Sequence, residues 1–156
     1  TPFRQIHGWC ETHGRPFNYH VFGISEYANT QALFERARSI GVRHWLDDDL
    51  QHPAGLESAR QALAADLQAF DAVYLTVCMD VLPGGQAPGV SAPAALGVPV
   101  ATVQVLIDEV LASGRLVAAD IAELNPSLDR DGLTARVAAR LAARLARGAG
   151  AQKVQT

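Results

Sequence analysis

The chain has 156 residues, 49% of them apolar and 19% charged, with a formal net charge of −3. That is enough chain to bury a core as one domain, with the composition of an ordinary water-soluble globular protein. The balance excludes several classes. A pI near 5.9 without clustered Lys and Arg argues against a nucleic-acid partner. No apolar run approaches the ~20 residues of a membrane span, and the opening TPFRQIHGW is no signal peptide. Cys10 and Cys78 form no CxxC or zinc-ribbon spacing, so a reducing, cytoplasmic setting is expected rather than a disulfide scaffold. The chain begins without Met, which leaves a processed, trimmed or partial sequence open.

In chain order, the run YHVFGI (19–24) reads as a short buried strand. Asn29 or Thr30 is placed to cap a helix that ends near Ile40, with Gly41 as its stop. Residues 42–46 suit a short second strand. Pro53 and Gly55 open a helix over about 56–70. The run AVYLTVCM (72–79) is nearly all apolar and reads as a strand covered on both faces. A Pro- and Gly-rich loop then occupies 80–98. Pro99 stands in the first turn of a third helix reaching about Ser113, with Gly114 ending it. The segment LVAADIAEL (116–124) reads as another buried strand, and Asp129 or Asp131 as the cap of a last helix to about Arg147. Arg136, Arg140, Arg144 and Arg147 recur there at helical spacing, the pattern of a solvated face.

Alternating strands and helices predict an α/β fold: a mostly parallel sheet with helices on both sides, in three αβα layers. Ligands of such sheets bind beyond the carboxyl ends of the strands, so Asp80, Glu123 and Asn125 are the residues to follow. Strand alternation would put Thr76, Cys78 and Asp80 on one face. Taken alone, an Asp closing a strand is as readily a turn-former, Glu123 a polar strand cap, and Cys78 a small core residue. The acidic run Asp47–Asp48–Asp49 reads as solvated, and the five His residues make no metal-ligand pairing.

The segment YLTVCMD-VLPGGQAPGVSAP resembles the third metal-binding motif of the arginase family, where Asp-x-Asp ends a strand before a Pro/Gly-rich loop. Its Leu-Pro is similar to the formimidoylglutamase branch. The following DIAELNPSLDRDG resembles the family's next motif, a strand-end Glu before Asn-Pro, and TPFRQI and YHVFGIS resemble upstream segments, so the likeness spans roughly 1–147.

The resemblance implies that residues 1–156 are the C-terminal part of a single arginase-like catalytic domain whose Gly-Gly-Gly-His and Asp-Ala-His-x-Asp metal motifs lie outside this chain. It implies two Mn2+ ions, with Asp80 and the Cys78 position as metal sites and Glu123 as the catalytic, substrate-binding carboxylate. The implied reaction is hydrolysis of N-formimidoyl-L-glutamate, a small-molecule substrate, to L-glutamate and formamide in histidine degradation. Agmatinase or guanidino-acid hydrolase chemistry remains open, as do a non-catalytic fragment that only folds and associates, and a homo-oligomer. Cys78 departs from the family's bridging Asp, and a thiol favours softer ions than manganese.

Overall fold

The computed structural model describes residues 2–153, with side chains through 148. The chain divides into two compact units, Thr1–Leu46 and Asp47–Thr156.

The first unit opens with helix α1 (Pro2–Thr12), which the sequence reading did not foresee. Pro2 is suited to a first helical turn, where its missing N–H costs nothing. His7 and Cys10 are buried, and the His7 ring meets Phe17 edge-on, with centroids 5.0 Å apart. Strand β1 (His20–Ile24) pairs in parallel with β2 (Arg43–Leu46), with helix α2 (Gln31–Ser39) between them in sequence. Register shifts between Phe22 and Ile24, where Gly23 takes φ 87, a conformation open to glycine at little cost. Phe22 stacks on Trp45 at 4.2 Å across the pair. Thr30 is the residue before α2, yet its side chain makes no cap; Asn29 instead donates to the Ser25 carbonyl.

The second unit contains helix α3 (Pro53–Leu67), strand β3 (Val73–Cys78), helix α4 (Val100–Ala112), strand β4 (Leu116–Ala122) and helix α5 (Leu133–Lys153). Strands β3 and β4 are parallel neighbours, in register from Tyr74↔Ala118 to Cys78↔Ala122. Its core gathers Ala59, Leu63 and Leu67 of α3, Val103, Leu106, Ile107 and Val110 of α4, and Ala138, Leu141 and Leu145 of α5. Polar links tie the helices at their rims. Arg60 donates to Glu109 at 2.7 Å, and Arg144 donates to Asp108 with Nε at 2.6 Å. Arg136, Arg140 and Arg147 are exposed, as their spacing suggested.

The 80–98 segment is not a surface excursion. Leu82 and Ala87 are fully buried, and Val90 and Val98 almost so. Burying each of the larger side chains is worth about 1.5–3 kcal/mol, so the segment is anchored although it has little regular structure. Some of its backbone groups pair within the segment: the Val98 N–H donates to the Val81 carbonyl at 2.7 Å and the Gly84 N–H to Ala94 at 2.9 Å.

Two readings need correction. Neither β3 nor β4 is covered on both faces by the described residues: Tyr74 is 50% exposed and Val117 69%, and Ala118 and Ala119 are also exposed. An apolar run records what a strand can bury, while its cover comes from elements elsewhere. Second, Asp47 is only 3% exposed, so the acidic run is not uniformly solvated; its carboxylate accepts the Asp48 N–H at 3.1 Å.

Candidate active site

Strand β3 ends at Cys78, and Asp80 stands in the short 3-10 turn Met79–Val81 rather than on the strand. The face shared by Thr76 and Cys78 therefore does not extend to Asp80 by simple alternation. Because Cys78 is opposite Ala122, the strand ends bring Asp80 and Glu123 to the same carboxyl edge. The electrostatics agree with that placement. Burial first, and then the nearby negative charge of Glu123, push the Asp80 carboxyl above its ordinary value, against the backbone N–H of Ala92, which supports the ionised form. One Asp80 oxygen, Oδ1, is buried without a hydrogen-bond partner.

Cys78 feels the same surroundings. Burial pushes its thiol pKa up, and the charges of Asp80 and Glu123 add to this, while backbone N–H groups of Asp80 and Val81 work the other way. The surroundings thus favour the protonated thiol, and sulfur in either state suits softer ions than manganese.

Glu123 is the one non-glycine residue with positive φ among the described residues, at 71. For a residue with a Cβ this left-handed conformation costs roughly 1–2 kcal/mol. The strain turns the chain directly out of β4 and leaves Glu123 exposed at the sheet edge. Beyond it, Asn125 closes its own turn, its side-chain oxygen accepting from the Ser127 N–H at 3.1 Å and hydroxyl at 2.6 Å. The Asn125 side-chain oxygen is therefore committed to shaping the turn.

Sequence reading overlooked Asp120. It lies on β4 opposite Thr76, receives the Tyr74 hydroxyl, and keeps Oδ1 buried without a partner. The signal was present: Tyr74, Thr76 and Cys78 alternate along one face of β3, and Asp120 is an acid inside an otherwise apolar strand.

A metal centre needs several donors, and among the described residues no group of three or more His, Cys, Asp or Glu side chains is placed to hold an ion. The orphaned Asp80 oxygen suits one donor of a hard cation. The described residues do not complete a two-ion site.

Comparison with known proteins decides the lineage. The family model described as the arginase family matches residues 1–147. The chain belongs to the arginase family. Among its relatives, the formimidoylglutamase of Ralstonia nicotianae is 57% identical over 152 residues, covering 97% of this chain and 46% of the relative. That of Hahella chejuensis is 54% identical over 147 residues, covering 94% and 45%. The chain thus spans about half the length of the curated relatives it matches. The crystal structure of formimidoylglutamase from Bacillus subtilis aligns with a TM-score of 0.76 at 24% identity, over 83% of this chain and 40% of that one. Bacillus caldovelox arginase aligns at 0.72 and 23%, over 81% and 42%. These structures establish the fold class: part of the three-layer, arginase-like α/β fold, with the parallel strands anticipated from the sequence.

Two substitutions probe the edge. Asp80→Asn is expected to stabilise the chain at neutral pH, read as a higher Tm. The raised carboxyl pKa gives the sign. Its contribution to stability is full below the unfolded value and is lost as pH rises through the folded value, so the ionised form carries a cost at pH 7. The advantage of the variant should vanish below the ordinary value of 3.8. Melts at pH 7 and pH 3 check this, and an unchanged or lower Tm at pH 7 would contradict it. Cys78→Asp adds a third carboxylate beside Asp80 and Glu123. It should lower Tm in chelator and recover stability in excess Mn2+ more than the parent chain does. Equal loss in both conditions would make Cys78 a packing residue alone.

Proposed function

We propose that this chain supplies the amidine-binding edge of a hydrolase that converts N-formimidoyl-L-glutamate and water to L-glutamate and formamide, a step of histidine degradation. The observation that carries the reading is Glu123, held in a strained conformation at the carboxyl end of β4 beside Asp80. The formimidoylglutamases 57% and 54% identical to it support this choice of substrate.

A formimidoyl group is a planar N–C–N unit that is cationic when protonated. A carboxylate can accept its two N–H groups in parallel, which fixes the plane and exposes the carbon to attack from one face. Glu123 is assigned that role. Water adds to the amidine carbon, the bond to the glutamate nitrogen breaks, and that nitrogen leaves with a proton as an amine. Asp80 contributes negative charge and an open acceptor at the same edge. A divalent cation held there with further donors would supply the positive charge that activates water, and manganese is the ion the family likeness suggests. Cys78 is assigned to the wall of the site, next to the ion.

A chimera tests the substrate. In it, this chain replaces the matched 152-residue stretch of the Ralstonia nicotianae formimidoylglutamase. With Mn2+ it should release formamide from formimidoylglutamate and give little urea from agmatine or arginine. The 156-residue chain by itself should show no release above background, since the described residues bring no complete set of metal ligands. A chimera that folds and prefers a guanidino substrate would overturn the assignment.

A further inference from the structure

We infer that Thr134 is a positioning residue that locks the loop carrying Asp80 to the turn carrying Glu123. It lies at the start of α5, distant in sequence from both, and is completely buried. Its hydroxyl accepts the Gly89 N–H at 2.7 Å and donates to the Asp129 carboxylate. Asp129 in turn accepts the backbone N–H groups of Thr134 at 3.0 Å and Ala135 at 2.8 Å, the first turn of α5. Gly89 completes the lock from its other side, its carbonyl accepting the Asn125 N–H at 2.8 Å. Gly89 therefore joins the two segments through both of its backbone groups.

The contact is close as well as polar. A Cβ added at Gly89 would stand 2.8 Å from the Cα of Asp129, a separation real side chains do not show. The loop thus lies directly on the turn between β4 and α5. Farther along the same loop, the Ala92 N–H supports the Asp80 carboxylate. One buried hydroxyl is placed to set both ends of the site: Asn125 two residues beyond Glu123, and Ala92 three residues beyond Gly89. Its importance for catalysis rests on the function proposed above, while the coupling itself is measured without any assay of hydrolysis.

Amide hydrogen exchange and amide chemical shifts on the full chain provide the test. Thr134→Val keeps the shape but removes the hydroxyl, and Thr134→Ser keeps the hydroxyl. Thr134→Val should speed exchange at Gly89 and at Asn125 by at least about tenfold, as expected for losing one buried hydrogen bond. It should also shift the Ala92 amide, and Thr134→Ser should restore all three. Unchanged Asn125 exchange and an unchanged Ala92 shift in Thr134→Val would overturn the inference. Should Thr134→Val not fold, the unmodified chain still decides: the Gly89 and Asn125 amides should open with one common free energy, and independent opening would overturn it.

Discussion

Replacing Glu123 with Gln in the chimera is expected to cut kcat/KM for formimidoylglutamate by about 30- to 1,000-fold, roughly 2–4 kcal/mol of lost transition-state binding, with metal content nearly unchanged. The amide is almost the same size, so the turn out of β4 can persist. What disappears is the negative charge and one of the two acceptors facing the amidinium. A charge-assisted pair is lost more expensively than a neutral hydrogen bond, because the substrate cation is left without its charged partner. The backbone at this position adds to the case. A chain that needed only a polar strand cap had no reason to keep a left-handed Glu, with φ 71, where Gly or Asn would be less strained. Steady-state kinetics with metal analysis checks the result. Wild-type turnover by Glu123→Gln would return Glu123 to a structural role.

Gly97→Ala is expected to lower Tm by about 10 °C or to prevent folding, which corresponds to about 3–5 kcal/mol for a chain of this size. Two costs coincide. Gly97 has φ 65, and an added Cβ would lie 2.6 Å from the Pro83 nitrogen, 2.7 Å from the Leu82 carbonyl carbon and 2.9 Å from the Val81 oxygen. All three are backbone atoms just past Asp80, so no rotamer change relieves the contact. The same stretch carries the Val98-to-Val81 hydrogen bond and a Gln51 side chain donating to the Gly97 carbonyl at 2.8 Å. Displacing it would disturb the turn that presents Asp80. A thermal melt within about 2 °C of the parent chain would mean that the loop does not pass as described.

The edge itself was legible in the sequence, because apolar strands ending in Asp80 and Glu123 and separated by a single helix imply parallel neighbours. The detail was less so. Alternation carried past Cys78 put Asp80 on the strand, whereas the chain leaves the sheet there in a 3-10 turn. Of the two candidate caps for α5, Asp129 bonds the helix N–H groups. Helix α1 had a readable signal, with Phe3, Ile6 and Cys10 at helical spacing behind Pro2. The Gly89–Thr134 bond joins residues 45 apart, and no local pattern announces it. The exposure of Tyr74 and Val117 depends on what packs against β3 and β4, and propensity carries no such information.

Glu123 is assigned to the amidine and Asp80 to the cation, and a crystal structure of the Asp80→Asn chimera with formimidoylglutamate bound separates the two roles, since that change should halt turnover and spare the binding carboxylate. The two amidine nitrogens are expected against the two Glu123 oxygens, with the cation site nearest residue 80 depleted relative to the parent chimera. An amidine held by other residues, with Glu123 facing solvent, would contradict it.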